Sequence, residues 1–122
     1  MNDRFCVTAT HAADDPDRAT VAWVIANAAL SSGKDTLVFV SSEAVRVGFV
    51  DGAKTIHQDG FAPLAELIAS FGANGGRILV CTPCAKTRGL DGNDLVPGAV
   101  LGGGAGLVEF LTAEGTVASV SY

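Results

Sequence analysis

Two cysteines, Cys81 and Cys84, bring the most chemistry within reach of this chain. They lie in the segment Arg77-Ile78-Leu79-Val80-Cys81-Thr82-Pro83-Cys84-Ala85-Lys86-Thr87-Arg88-Gly89. An apolar run ends on a cysteine, a turn with a proline follows, a second cysteine comes three residues later, and a basic residue and a glycine close the segment. The pattern reads as a strand that delivers a thiol to the start of a short helix. Thr82 is expected to cap that helix, and Pro83 suits its first position because its missing N–H loses nothing there. Unpaired N–H groups and the helix dipole favour negative charge at such a place, so Cys81 is expected to be a thiolate nucleophile. Cys84, one helical turn on, is placed to form a disulfide with Cys81 or to resolve an intermediate. Arg88, with Lys86, offers positive charge beside the thiolate or a seat for an anionic partner. Each has a plainer reading as well: a packed cysteine, a small core residue and a solvated helix end.

The other candidates are weaker. His11 follows a strand and suits an acid, a base or a wall of the pocket, although a lone histidine there is more often structural. A zinc site built on Cys81 and Cys84 needs two further ligands, and Cys6, His11 and His57 are scattered along the chain, so no metal is expected. Asp14, Asp15 and Asp17 are explained by capping and solvation. The glycines of 102–106 lack the register of a phosphate loop and a following Lys-Ser/Thr, which leaves close packing of helix on strand. Cys6, inside a strand-like run, reads as core. No cofactor is implied.

These residues need elements to hold them. Phe5–Thr10 reads as a buried strand. Asp17 is the expected N-cap of a helix over Arg18–Ser32, ended by Gly33. That helix is apolar nearly all round: Val21, Val24, Ile25, Ala28 and Ala29 form one stripe, with Trp23 and Leu30 off it as candidates for a subunit contact. A second strand over Thr36–Val40 leads to a short helix capped within Ser41-Ser42-Glu43 and running to Val47. Asp51–Gly60 reads as a long polar connection, expected to be mobile. A helix over Ala62–Phe71, the strand Arg77–Cys81, a turn at Asp91–Asp94, a short strand Ala99–Leu101, a helix after the glycines to Leu111 and a strand Thr116–Tyr122 complete the chain. In the last strand Val120 and Tyr122 share one face and Ser119 and Ser121 the other, which predicts the least buried strand.

Strands alternating with helices predict one α/β domain over 1–122, a three-layer sandwich with a mostly parallel five-stranded sheet. Sites in such sheets lie beyond the C-terminal ends of the strands. His11, Ser41, Cys81 and Gly102 all fall on that edge.

Composition narrows the function. The 122 residues are 48% hydrophobic and 17% charged, ample for one core and greasy enough to predict self-association. A net charge of −5, with no run of Lys or Arg, argues against nucleic acid. A polar Met1-Asn2-Asp3-Arg4 predicts no signal peptide, and no apolar run reaches the roughly 18–20 residues that cross a bilayer. The odd count of 3 cysteines suits a reducing cytoplasm.

The segment Cys81-x-x-Cys84-x-x-x-Arg88-Gly89 after a buried strand resembles the DsrE/DsrF/TusD-like family of small sulfur-handling proteins. Further matches run along nearly the whole chain: Asp15-Pro16-Asp17-Arg18-Ala19, Gly33-Lys34-Asp35, Glu43-Ala44-Val45, Pro63-Leu64-x-Glu66-Leu67, Gly75-Gly76 and Asp94-Leu95-Val96-Pro97-Gly98-Ala99. The resemblance implies a five-stranded α/β fold and ring-like homo-oligomers, trimers or hexamers. It also implies that Cys81, at the position of the family's sulfur-accepting cysteine, carries sulfane sulfur as a persulfide between donor and acceptor proteins. Two other classes stay open: a dithiol redox protein using Cys81 and Cys84, and a non-enzymatic oligomeric module binding a small ligand.

Overall fold

The computed structural model describes residues 3–90 and 94–122. Five strands, β1 (Arg4–Ala9), β2 (Asp35–Val40), β3 (Arg77–Cys81), β4 (Ala99–Gly102) and β5 (Val117–Ser121), form one sheet in the order β4-β3-β2-β1-β5. Every neighbouring pair is parallel. A parallel pair needs a crossover between its strands, and α1 (Pro16–Ser31), α2 (Leu64–Ala73) and α3 (Thr82–Thr87) supply three of them. The first four strands step across the sheet in one direction, so right-handed crossovers put these helices on one face. The chain then returns to pair β5 with β1, and this reversal puts α4 (Gly104–Thr112) on the other face.

Side-chain alternation along the strands records the two faces. Val7, Val38, Val40, Ile78 and Val80 join the large cluster with α1 and α2. Cys6 and Leu37 pack instead with Phe110 of α4, and Leu79 lies against them. The expected three layers are present, and the sheet is wholly parallel. As predicted, β5 is the least enclosed long strand, with Val120 and Tyr122 packed on the main core and Ser119 and Ser121 exposed.

Several expectations need correction. The N-cap of α1 is Asp15, which accepts the Arg18 N–H at 3.1 Å, with Pro16 as the first helical residue. Asp17 lies inside the first turn. The buried stripe of α1 is a row of small residues, Ala19, Ala22, Ala26 and Ala29, that lets the helix lie close to the sheet, with Thr20 and Trp23 buried beside it. Val21, Val24 and Ile25 are only half-buried and Ala28 is exposed. Trp23 is fully enclosed and meets the Phe71 ring edge-on at 5.5 Å, so it belongs to the core of one chain and to no subunit contact. The helix expected over 62–71 runs from Leu64 to Ala73, because Pro63 holds extended backbone as its cap.

The connection expected to be mobile is pinned. Ala53 and Ile56 are buried, and the Ile56 carbonyl accepts the Leu64 N–H at 3.0 Å. The polar side chains around them masked two apolar anchors three residues apart. Of the turn expected at Asp91–Asp94, positions 91–93 lie outside the described residues. Among the described residues no helix is long and apolar enough to cross a membrane.

At the foot of the sheet, buried Arg4 closes the end of α4. Its guanidinium donates to the carbonyls of Phe110 (3.0 Å), Ala113 (2.8 Å) and Glu114 and lies over the Phe110 ring. A cation there satisfies helix carbonyls that would otherwise lack partners and suits the negative end of the dipole.

Replacing Phe71 by Ala removes the ring that closes on Trp23 and should cost about 3–5 kcal/mol. Denaturant unfolding followed by the fluorescence of Trp23, the one tryptophan, measures it. The substitution is expected to lower the midpoint without changing the oligomeric state. A changed oligomeric state with unchanged stability would contradict the core assignment.

Candidate functional site

The thiols stand at the C-terminal edge of β3, between two structures that approach it from either side. In the β2–β3 ladder Val40 is opposite Val80, so the chain leaves β2 at Ser41 beside the point where it leaves β3 at Cys81. In the β3–β4 ladder Cys81 is opposite Gly102. After Ser41 comes a 3-10 helix, Ser42–Gly48, that packs on β3 and α3. A Cβ on Gly48 would stand 2.7 Å from Cγ2 of Val80, so only glycine lets this helix lie so close to the strand carrying Cys81.

α3 is a helix of 6 residues whose N-cap is Cys81 itself. Thr82 therefore sits at the first helical position and Pro83 at the second, one later than expected. Thr82 does not cap the helix. Its Oγ1 donates to the Gly102 carbonyl at 3.0 Å and ties α3 to the end of β4. The helix stops at Arg88 through a paired C-terminal turn: Leu90 N–H donates to the Ala85 carbonyl and Gly89 N–H to the Lys86 carbonyl, both at 3.0 Å. Gly89 is needed there because its φ is +68°.

Arg88 is committed at both ends of its guanidinium. Nε donates to Glu43 Oε2 at 2.6 Å, and Nη1 to the Cys84 carbonyl at 3.1 Å. Glu43 also accepts from Arg46 Nε at 2.9 Å. Arg88 first, and Arg46 second, hold the Glu43 carboxyl below the usual range. The arginine thus bolts α3 to the 3-10 helix, while its charge still favours thiolate on both cysteines.

The two thiols have unlike environments. Burial, and then the Cys84 sulfur to which its S–H donates, push the Cys81 thiol up. The Cys84 N–H and Arg88 oppose this without overcoming it. Cys84 is pulled down, first by the Ser42 backbone N–H, next by the Cys81 S–H, and last by Arg88. The start of α3 does not make Cys81 the more acidic thiol, because burial and the Cys84 sulfur outweigh the Cys84 N–H. The two neighbouring thiols are thus shifted in opposite directions, Cys81 up and Cys84 down. Both cysteines are free and half-buried, hence reachable. Cys6 is also free, but it lies fully enclosed beneath α4, where burial pushes its thiol up to about 11.

His11 is not brought to the thiols. It follows β1, with β2 between it and β3, which separates the strands by about 10 Å. Its Nδ1 pairs with Asp14 Oδ2 at 2.8 Å, and Asp14 also accepts the Ala12 N–H at 2.7 Å. Asp14 and Asp15 therefore shape the turn and cap into α1. Among the described residues no group of three or more His, Cys, Asp or Glu could hold a metal ion. Ser42 was not singled out from the sequence; serine is a weak mark of a left-handed backbone, and nothing local points to a sulfur 42 positions on.

Larger hollows lie elsewhere. One of about 460 Å³ at the foot of the sheet is walled by Arg4, Asp35, Arg77 and Phe110, but its cations are engaged, Arg77 by both Asp35 oxygens at 2.9 and 3.0 Å. One of about 140 Å³, lined by Val47, Phe49, Ile68 and Val96 among others, is largely apolar and includes neither thiol. The thiol edge is the candidate on chemistry, and it is an open ledge.

Alkylation of the full chain against pH, with peptide mapping, should show Cys84 reacting first, with a midpoint below that of an ordinary cysteine, and Cys81 above it. Cys84→Ser is expected to lower the Cys81 midpoint, because the upward influence of the Cys84 sulfur is removed while the backbone N–H and Arg88 still favour the thiolate. Cys81→Ala should raise that of Cys84. Equal midpoints in the native chain would refute the unequal pair.

The model of the family described as DsrE/DsrF-like matches residues 3–117. Among solved structures, the ychN protein from E. coli superposes with a TM-score of 0.69 at 17% identity, covering 98% of this chain and 100% of that one. MTH1491 from Methanobacterium thermoautotrophicum, titled a protein of unknown function, gives a TM-score of 0.66 at 17% identity, with both chains covered fully. At this identity the likeness shows the fold. The comparison with curated proteins finds no match.

Proposed function

Because this chain belongs to the DsrE/DsrF-like family, which is generally tied to sulfur relay, we propose that it is a small sulfur carrier that accepts sulfane sulfur as a persulfide on Cys81. One observation carries the reading: two free, reachable thiols stand three residues apart at the C-terminal edge of a parallel sheet, within the field of Arg88. Cys81 attacks the outer sulfur of a donor persulfide, R–S–SH. The donor S–S bond breaks, the outer sulfur stays on Cys81 as –S–SH, and R–S⁻ leaves. The proton of Cys81 passes to the Cys84 thiolate beside it and from there to the leaving thiolate, so Cys84 acts as local base. An acceptor thiol then takes the outer sulfur and restores Cys81–SH. Arg88 and Thr82 hold the ledge, and Arg88 favours the anionic intermediates.

The S–H of Cys81 directed at Cys84 also favours a second reading, a dithiol redox protein. If Cys84 attacks the inner sulfur of a loaded Cys81, a disulfide forms and HS⁻ departs, and a dithiol reductant must then restore the pair. Either chemistry belongs in a reducing compartment, and we place the chain in the cytoplasm. Self-association as a trimer or hexamer fits the apolar residues left open on β4 and α4: Val100 (59% exposed), Leu101 (40%) and Val108 (58%).

Incubation with a persulfide donor, followed by intact mass and peptide mapping, tests the carrier reading. One added sulfur atom should map to Cys81, be lost in Cys81→Ser, and persist in Cys84→Ser. A Cys81–Cys84 disulfide without added sulfur would support the redox reading instead. Inertness to both would leave a ligand-binding module. Light scattering on the native chain and on Val108→Lys tests assembly: a trimer or hexamer is expected, and it should dissociate in the variant. A native monomer would end that part of the proposal.

A further inference from the structure

The hollow of about 140 Å³ beside α2 takes no part in the chemistry of the thiols. Four of its lining residues are apolar and buried: Val47 and Phe49 at the end of the 3-10 helix, Ala53 of the following loop, and Ile68 of α2. Ala65 and Ala69, one turn apart on α2, leave the space open where larger side chains would fill it, and Val96 and Pro97 complete the walls. Close-packed interiors keep few voids larger than a water molecule, so a hollow of this size needs walls that cannot collapse. These walls are tied to one another. Phe49 bridges Leu95, the Val50 N–H donates to the Asp94 carbonyl at 2.7 Å, and the Val96 N–H donates to the Gly48 carbonyl at 2.9 Å. A Cβ on Gly72 would stand 2.4 Å from the Pro97 carbonyl oxygen, so α2 is pressed against that segment. A Cβ on Gly52 would stand 1.7 Å from the Arg46 carbonyl oxygen, which seats the turn before Ala53 on the 3-10 helix. Asp51 enters that turn with φ +67°, in the left-handed region that among the described side-chain-bearing residues only Ser42, at +53°, also occupies. Such a conformation persists where the surroundings enforce it.

We propose that this hollow is a binding site for a small uncharged apolar molecule of about the bulk of one aromatic ring. Size, lining and charge each narrow the ligand. An apolar cavity of about 150 Å³ stays dry and takes benzene, whereas pockets for drug-sized ligands run to about 300–1,000 Å³. The polar side chains of the lining, Asp51 and Lys54, are exposed, so a polar group carried inside would give up water without gaining a side-chain partner. Those two residues carry opposite charges. An ion of either sign therefore meets one attraction and one repulsion there, and a neutral ring meets neither. The site is independent of the carrier reading and stands whether or not Cys81 takes up sulfur.

Toluene titrated into the isotope-labelled full chain, up to its solubility limit and followed in methyl spectra, tests the site. Saturable shifts are expected at the methyl groups of Val47, Ala53, Ile68 and Val96, while those of Val117 and Val120 on β5 stay in place. Benzoate and benzylamine add a charge of either sign to the same ring and should bind at least several-fold more weakly. Ala69→Leu puts a branched side chain into the hollow from an exposed helix position and should abolish the toluene shifts. Ala65→Leu does so from one turn earlier and decides the matter if the first variant does not fold. Native chain without saturable toluene shifts would overturn the site, and a hollow already filled by a second copy of the chain would give that result. Shifts that persist undiminished in both leucine variants would overturn it too. Benzoate or benzylamine bound as tightly as toluene would overturn the uncharged class of ligand.

Discussion

The register of one parallel strand pair holds the site together. With Val40 opposite Val80, the chain emerges from β2 and β3 side by side, and Ser42, Glu43, Cys81, Cys84 and Arg88 come within reach of one another. A slip of one residue would turn every β3 side chain to the opposite face and carry Cys81 away from the loop it meets. That register is well determined, because Ile78 and Val80 must reach the main core while Leu79 reaches the layer under α4. Core packing therefore fixes the spacing of groups that lie outside the core. The close approach of the 3-10 helix at Gly48 extends the same control to the loop side.

Much of this was legible in the sequence. Alternating apolar runs and helical stripes gave the order of elements and the parallel sheet, and the cysteine segment stood out because its residue types have few other uses. What failed did so for physical reasons. On α1 nearly every face is apolar, so pattern alone could not choose the inner one; the sheet chose the alanines, since they permit the closest approach, and took Trp23 as the filler against Phe71. The loop at 51–60 looked soluble because polar residues outnumber its two anchors. The acid–base asymmetry of the thiols was hidden for a deeper reason. It arises from burial and from backbone and side-chain groups that only the folded chain brings together.

That asymmetry changes how the segment is understood. Read alone, it is a cysteine at a helix start with a spare thiol nearby. In the folded chain burial and the neighbouring sulfur push the half-buried Cys81 thiol up, against the pull of the helix start, while Cys84 is drawn down. Arg88 acts chiefly as a fastener between two short helices, because Glu43 and the Cys84 carbonyl take up its donors, and its electrostatic help to the thiols follows from that placement. Thr82 is a fastener too, joining α3 to β4. The ledge is thus braced on both sides of its two sulfurs and open above them.

Cys6 gives the molecule one further property. Its sulfur is sealed between the sheet and α4, while the other two stand at the open edge. A folded chain therefore presents two countable thiols and an unfolded one three. The hidden sulfur is an internal gauge of integrity: the rate at which the third thiol becomes countable reports how often α4 lifts from the sheet, in the same sample and with the same reagent that reads the two edge thiols.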